Sequence, residues 1–425
     1  MKYFLSLLLW LASPAWAESE ITMSNYGSFQ QYGDIMQVIL PTSAMISTFV
    51  QGDFDGSLQY TKGFATAYGV VQGMKISFDR KRPKGTSNSF PSGHTAAAFS
   101  GASFIHLRYG DAWAWPMYTL AASVGVSRIY ANYHFADDVL AGASLGIMSN
   151  LLYTSPYDSA ITAMPYVADE TLGVALRIHL DKNDFNDAKK SRHSYRERPN
   201  EFSLFIGVSN VNEININPTG SAPHNVSQDR QHITQVRWTT PSIVNSKWLI
   251  EVNPFSSRVK TLLDDDFLFG ENTYASGSEL QEAIDILRVS SYWAFDLLPT
   301  KHWELALGLG VTLKRFEVRF DDPKGGNLER ALDYYAYPEL YGKVGLDYGG
   351  VQFFTEWMSS VIPQDENFGE RLVGRVGLGY KINPLWSLSL LGTMEHTEQN
   401  MGKRTSGYET ELSDRYLSLA IGYWY

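Results

Sequence analysis

The chain has 425 residues, enough for two domains or one large one, and 44% of them are hydrophobic, a folded rather than a disordered composition. Its formal net charge of -10 excludes the basic surface that a nucleic-acid partner requires. There is no cysteine, so disulfides and thiolate metal sites are excluded as well.

The N-terminus reads as a targeting segment. Lys2 is followed by an apolar stretch from Tyr3 to Ala12 and by the small-x-small triplet Ala15-Trp16-Ala17. The stretch is too short to span a bilayer. It predicts a cleaved signal peptide over 1–17, with the mature chain starting near Glu18. The bland alternative is a buried N-terminal helix. Residues 18–33 are polar and contain glycine, and read as an irregular arm.

From Asp34 to about Ser155 the pattern is helical, with helices expected over 34–50, 57–79, 92–108, 111–130 and 135–154. Gly52, Gly56, Lys84-Gly85 and Gly110-Asp111 punctuate them. Ala, Ser and Gly dominate 92–105 and 136–149, which lets those helices pack closely. Each apolar run is interrupted: by Asp34, Gln37 and Pro41, by Gln59, Lys62 and Gln72, by His94, and by Asp137-Asp138. None supplies the ~18 uninterrupted apolar residues of a membrane span, so residues 18–155 predict a compact soluble all-α bundle.

Residues 156–200 change character and read as a linker. Leu172, Val174, Leu176, Ile178 and Leu180 alternate on one face, and a basic run then occupies 189–198. That run reads equally as plain linker or as a contact for anionic head groups.

From 201 to 425 strands alternate with turns. Trp303, Leu305, Leu307, Leu309, Val311 and Leu313 face one way, and Glu304, Ala306, Gly308, Gly310, Thr312 and Lys314 the other. Leu372, Val376, Leu378 and Tyr380 likewise oppose Arg371, Arg375, Gly377 and Gly379. Bulky apolar residues on one face, with small or charged ones opposite, predict an antiparallel transmembrane β-barrel. A soluble sandwich shows the reverse. Ten strands are expected, near 202–209, 232–239, 246–253, 284–297, 303–314, 332–348, 351–360, 371–382, 385–397 and 412–425. The strand at 172–180 is left outside. Short connections alternate with long ones, so both barrel ends fall on the short-turn, periplasmic side. Lys314, Lys343, Arg371 and Arg375, against Glu304, Asp347 and Glu356, are expected to pair across a filled lumen. Asp264-Asp265-Asp266 in a long outer loop reads as a solvated run, with a divalent cation as the alternative. The remaining histidines, at 106, 179, 193, 224, 232, 302 and 396, read as structural.

The chemistry lies in the helical region. His134 and Asp138 are four apart and share a helix face. A carboxylate beside one ring nitrogen fixes the tautomer and leaves the other free to attack phosphorus, forming a phosphohistidine. Asp137 is the competing carboxylate, about 100° round the helix. Pro91-Ser92-Gly93-His94 sits where a loop becomes a helix. Ser92 is a candidate N-cap, and Gly93 lets an anion approach the first backbone N–H groups. His94 is placed to protonate the leaving oxygen, a role that asks for a pKa near ~6–7. Lys75, Arg82 and Arg128 would neutralise the phosphoryl oxygens, so no metal or cofactor is required. Each cluster alone is commonplace, as a solvated charge, a local His–Asp bond or a chance tetrapeptide. All of them in this order on helices are not.

Together these residues resemble the three-part signature of the type 2 phosphatidic acid phosphatase superfamily, which includes bacterial non-specific acid phosphatases and vanadium haloperoxidases. The three parts are Lys75-x6-Arg82-Pro83, Pro91-Ser92-Gly93-His94 and Ser127-Arg128-x5-His134-x3-Asp138. The resemblance covers about residues 34–155. It implies hydrolysis of phosphate monoesters, with His134 as nucleophile, Asp138 as its partner and His94 as general acid. Lys75, Arg82, Ser92, Gly93 and Arg128 would bind phosphate. It leaves the substrate open between a phosphorylated lipid and a small phosphate ester. With the barrel it predicts a periplasmic phosphatase held at the outer membrane, against outer-membrane lipid. A barrel with a mainly transport or structural role, and a vanadate-dependent haloperoxidase, are the alternatives.

Overall fold

The computed structural model describes residues 24–157, 161–168, 171–178, 200–218, 224–228, 231–242, 245–269, 272–298, 302–322, 327–360, 370–401 and 408–424. The expected signal peptide and the basic run at 189–198 lie outside them.

Five helices come first: α1 (Ser24–Val50), α2 (Phe54–Phe78), α3 (Gly93–Tyr109), α4 (Asp111–Tyr130) and α5 (Ala136–Leu151). The four later helices lie where the sequence predicts them. α1 begins ten residues earlier than expected, and Ser24–Gly33 is helix rather than an irregular arm. The reason is tertiary. Phe29 stacks near Tyr32 and meets Tyr130 of α4 edge-on, at centroid distances of 5.9 and 5.5 Å. The Tyr32 hydroxyl also meets Ser123 Oγ at 2.7 Å. Below this, Leu40 packs with Ala98, Ala102, Ala121 and Val124 in a core of mostly small side chains. The approach is close: a Cβ on Gly101 would lie 2.6 Å from the Leu40 backbone.

α1 also corrects the expectation that no helix is apolar enough to span a bilayer. Residues Ser28–Val50 have a mean hydropathy of 1.2, and only 22% of that window is buried. At ~1.5 Å per residue it is long enough to cross a hydrocarbon core. Ile35, Val38, Ile39, Ile46, Phe49 and Val50 are exposed along it.

The helix ends are fixed by polar contacts. Asp53 caps α2 through the Gly56 amide at 2.9 Å. The same carboxylate takes Arg108 Nη2 and Nε at 2.6 and 2.7 Å and the Tyr109 hydroxyl at 3.0 Å. Both members of this ion pair are buried.

Within the stretch expected as a linker, β1 (Ile161–Ala168) and β2 (Thr171–Ile178) form an antiparallel hairpin of their own. The remaining strands are β3 (Glu201–Pro218), β4 (His224–Gln228), β5 (Gln231–Pro241), β6 (Ser246–Leu262), β7 (Phe267–Phe269), β8 (Asn272–Tyr274), β9 (Glu279–Asp296), β10 (Trp303–Asp322), β11 (Asn327–Tyr348), β12 (Val351–Ser360), β13 (Glu370–Lys381), β14 (Trp386–Met401) and β15 (Tyr408–Trp424). Ten of them, β3, β5, β6 and β9 to β15, form a sheet closed by pairing of β15 with β3. These are the ten expected strands. β4 pairs with the far half of β3, and β7 with β8. Glu201 of β3 lies opposite Trp424 of β15, so both barrel ends meet at one rim. The short Gly349-Gly350 turn is at that rim too, with both glycines at positive φ as a tight hairpin requires.

The alternation seen in sequence is the inside–outside alternation of the barrel. On β10, Trp303, Leu307, Leu309, Val311 and Leu313 point outward and are exposed. Past Leu313 the pattern inverts. Phe316, Val318 and Phe320 turn inward and are buried, while Arg315, Glu317, Arg319 and Asp321 occupy the outward positions. The outward apolar run over 303–313 matches the ~9–11 residues that a tilted strand spends in a bilayer. Beyond it the barrel is built like a water-soluble one, with apolar residues inside. Arg258–Asp285 at 2.8 Å and Arg330–Glu317 at 2.8 Å are ion pairs of this upper part. Phe267, Phe269 and Tyr274 of the β7–β8 hairpin fill its interior against Ile284, Phe316 and Phe320.

The lumen at membrane height is filled by ion pairs. Arg237 binds Glu356 at 2.6 and 2.8 Å and Glu251 at 2.7 Å, and Arg375 binds Glu251 at 2.9 Å. In a second layer, Arg371 joins Glu339 at 2.8 Å and Glu395 at 3.0 Å, and Arg288 joins Glu395 at 3.0 Å. Lys343 reaches Glu304 at 3.0 Å, and Lys381 pairs with Asp347. Of the expected cations, Lys343, Arg371 and Arg375 pair in this way, with Glu251, Glu339 and Glu395 as additional partners, while the buried Lys314 lies with Nζ 5.3 Å from the Phe316 ring centroid.

Candidate active site

One pocket in the helical region gathers residues that are up to 104 positions apart in sequence. It has a volume of about 170 Å³ and is lined by Gln30, Asp34, Arg82, His94, Arg128, Tyr133 and His134. Four of the eight expected site residues, Arg82, His94, Arg128 and His134, thus share one wall.

Arg128 lies in the last turn of α4, and His134 follows after a tight turn. The turn is closed by the amides of Tyr133 and His134, which donate to the Arg128 carbonyl at 3.0 and 3.3 Å. Asn132 takes the left-handed conformation there, φ 56°, which asparagine tolerates. The result folds His134 back beside Arg128, and both are buried. Arg128 is oriented by three bonds: Nη1 to Asp34 at 2.6 Å, Nη2 to the Gln30 carbonyl at 2.5 Å and Nε to Ser127 Oγ at 3.1 Å.

The loop from α2 to α3 supplies Arg82. Its amide donates to the Thr86 carbonyl at 2.6 Å. Its Nε is buried with no hydrogen-bond partner, a donor left for an anion in the pocket. Arg82 and Arg128 both face the Tyr133 ring, at 5.8 Å, and Lys84 Nζ stands 4.1 Å from the same centroid. Tyr133 is therefore the surface on which the cations of the pocket are laid.

Ser92 is the N-cap of α3, its Oγ accepting from the Thr95 amide at 3.5 Å, and it is buried. Gly93 opens the helix. An added Cβ would meet only Val71 and Lys75, at 3.8 and 3.9 Å, so Lys75 reaches the α3 N-terminus. Lys75 Nζ donates to the Asn88 carbonyl at 2.7 Å. Of the expected site residues, Lys75, Ser92, Gly93 and Asp138 are not among those that line the pocket. Asp137 and Asp138 both lie in the first turn of α5, and both are fully buried.

His94 Nε2 is 3.0 Å from Asp34 Oδ1. Burial pushes the His94 pKa down, and the Arg128 charge adds to this while Asp34 opposes it, leaving it at about 4. That is below the range expected for a general acid at neutral pH. A bound phosphate dianion would raise it again, because a nearby anion favours the charged ring.

Sequence reading missed Gln30, Asp34 as a site residue, and Tyr133. In sequence, Asp34 reads only as an interruption of an apolar run. The signal was the spacing of Phe29, Tyr32, Met36 and Leu40, which continues the α1 face back past residue 34.

Comparison with known proteins matches residues 56–159 to the family model of the PAP2 superfamily. A lipid A 1-phosphatase of Porphyromonas gingivalis is 38% identical over 156 residues, covering 32% of this chain and 35% of that protein. The chain thus spans about a third of that relative's length. A lipid A 4'-phosphatase of Helicobacter pylori is 30% identical over 166 residues, covering 36% of this chain and 82% of that protein. Among solved structures, the outer membrane protease OmpT from Escherichia coli aligns at 10% identity and a TM-score of 0.39, over 53% of this chain and 97% of that one.

Proposed function

Because this chain belongs to the PAP2 superfamily, we propose that it is a metal-independent phosphatase of phosphate monoesters that works through a phosphohistidine. His134 attacks phosphorus, and His94 gives its proton to the leaving alcohol oxygen. Water then cleaves the P–N bond. Arg82 and Arg128 from the pocket wall, with Lys75 and the α3 N-terminus behind Ser92 and Gly93, hold the phosphoryl oxygens as charge develops. Asp138, four residues after His134 and fully buried, orients the nucleophile. The observation that carries the reading is the convergence of Arg82, His94, Arg128 and His134 on one pocket.

The substrate we infer is a phosphorylated lipid rather than a small phosphate ester. In support, Ile35, Val38 and Ile39 stand exposed on α1 within five residues of Asp34, and Phe54, Leu58 and Ile76 are exposed on α2. The Porphyromonas gingivalis and Helicobacter pylori relatives are both lipid A phosphatases, and phosphatidate or a prenyl phosphate would offer the same head-group chemistry. We place the enzyme at the outer membrane with the helical region in the periplasm. Two features support this address: the outward apolar band of the barrel, and the meeting of both barrel ends at the short-turn rim, which faces the periplasm in such barrels. The filled lumen favours an anchor over a pore.

The test is phosphate release by the full-length protein in detergent from lipid A, phosphatidate and a soluble ester, with and without EDTA. Turnover is expected with the lipids, unaffected by EDTA and abolished by His134→Ala. Hydrolysis that survives His134→Ala would refute the mechanism.

A further inference from the structure

The family match begins at residue 56, yet the pocket is completed by a helix that precedes it. Asp34, on α1, brings a single carboxylate oxygen to both His94 and Arg128. We propose that Asp34 is the positioning residue of the general acid, so that the site holds a second histidine–carboxylate pair beside that of the nucleophile. The inference rests on the phosphatase reading and on the role of His94 within it.

Three observations show that the contact is built rather than incidental. First, α1 is seated against α4 at this point by the absence of a side chain. A Cβ on Gly33 would lie 2.0 Å from Ser127 Oγ and 2.4 Å from Arg128 Nη2. Second, the neighbouring turn of α1 is tied to the same groups, by the Gln30 carbonyl to Arg128 at 2.5 Å and Gln30 Nε2 to the Tyr133 hydroxyl at 3.1 Å. Third, the Asp34 side chain is 42% exposed, yet the oxygen it gives to His94 is the one held by the buried Arg128 Nη1 at 2.6 Å.

A carboxylate in a phosphate pocket repels the substrate, so it has to contribute something that outweighs this. Its place on His94 shows what. A carboxylate oxygen accepts, so Nε2 donates to Asp34, and the transferable proton resides on Nδ1. As His134 forms its bond to phosphorus and the P–O bond to the alcohol breaks, the Nδ1 proton passes to the leaving oxygen. His94 is then neutral, with Nε2–H still on Asp34. In the second half, water attacks phosphorus, the P–N bond breaks, and the proton of that water returns to Nδ1. The ring cycles between imidazolium and one tautomer of imidazole without turning over.

The electrostatics agree. The charged or titratable groups facing His94 are Asp34 from α1, Arg82 from the α2–α3 loop, Arg128 from α4, and Tyr133 and His134 from the turn after α4. Among them the acidic group is Asp34, and it opposes the burial and the Arg128 charge that push the ring toward neutrality.

The test compares full-length wild type with Asp34→Asn on phenyl phosphate, whose leaving group needs a proton, and p-nitrophenyl phosphate, whose leaving group needs one far less. Asp34→Asn is expected to lose about tenfold to 100-fold in kcat on phenyl phosphate, part of the ~10²–10⁴ attributable to acid catalysis, since the acid itself is retained. It should lose about threefold or less on p-nitrophenyl phosphate, and the alkaline limb of its pH profile should move to lower pH. Asp34→Glu should recover part of the loss and show that the fold is intact. Equal losses on both esters with an unmoved limb would overturn the proposal. So would a gain in activity, which would make Asp34 a carboxylate that merely occupies the pocket. His94→Ala separates the layers: if wild type turns over both esters but His94→Ala shows no leaving-group dependence, the acid role itself is wrong. If wild type turns over neither, nor any lipid phosphate, the phosphatase reading fails first.

Discussion

Arg128→Lys is the sharpest perturbation of the pocket because it keeps the charge and removes the geometry. Arg128 uses all three of its nitrogens: Nη1 on Asp34, Nη2 on the Gln30 carbonyl and Nε on Ser127 Oγ. An ammonium at the end of a lysine can reach one or two of these positions, and it cannot present a planar fork to a phosphoryl group. Hydrogen bonds to a charged group contribute about 1.5–3 kcal/mol each. Losing one or two of them, with partial compensation by water, costs about 3 kcal/mol of local stability. Removing a donor to a developing oxyanion costs about 10²–10³ in kcat, equivalent to about 2.7–4 kcal/mol. The expected outcome is a fall of that size in kcat/KM on every substrate, because the phosphoryl group is common to all. The assay is initial-rate phosphate release by the full-length protein, beside limited proteolysis to establish that the helical region remains folded. A folded Arg128→Lys variant within tenfold of wild type would refute the reasoning, and would mean that Arg128 serves the fold and not the phosphate.

Gly33→Ala should cost more than an ordinary helix substitution, since the added methyl has no room against Ser127 and Arg128. Overpacking of this kind destabilises by about 1–3 kcal/mol, and activity should drop at least tenfold because α1 carries Asp34; activity assays and denaturant titration read both. Asp53→Ala removes the α2 cap and leaves Arg108 buried without its carboxylate, so a loss of about 3–5 kcal/mol is expected in urea titration of the helical region. Although burial raises the Asp53 pKa, the Arg108 hydrogen bonds, the Gly56 amide and the Arg108 charge lower it further, to below the usual value. Its contribution is therefore complete above the unfolded pKa of ~4 and is lost as pH falls through the folded value, so wild type and Asp53→Ala should converge in stability at strongly acid pH. In planar bilayers the full-length protein should show no steady conductance, because Arg237, Arg375 and Arg371 bridge the lumen to Glu251, Glu356, Glu339 and Glu395. Glu251→Ala should destabilise the barrel in heat-modifiability gels rather than merely widen it.

The helices α2 to α5 and the ten barrel strands were legible because their patterns are carried within each segment. α1 was not, because Ser24–Gly33 has too little apolar content of its own. It is helix through Phe29 against Tyr130 and Tyr32 against Ser123, partners about 90 to 100 residues away. The same cause hid two of the seven pocket residues. Arg82, His94, Arg128 and His134 stand in a recognisable order, and their residue types announce phosphate chemistry. Gln30 and Asp34 stand outside that order, and acquire meaning only when Gly33 lets α1 close on Arg128. Within its own helix Asp34 is only a charge interrupting an apolar run; its significance lies in what it faces across the bundle, His94 and Arg128. In the barrel the misjudged feature was strand length. The outward apolar run on β10 ends at Leu313, and an alternation rule that assumes lipid outside stops there. The strand continues to Asp322 with the rule reversed, because above the bilayer the solvent is water and the apolar residues change sides. The reversal is itself information. The level of Lys314 and Arg315, where it falls, marks the end of the outward apolar band on this strand.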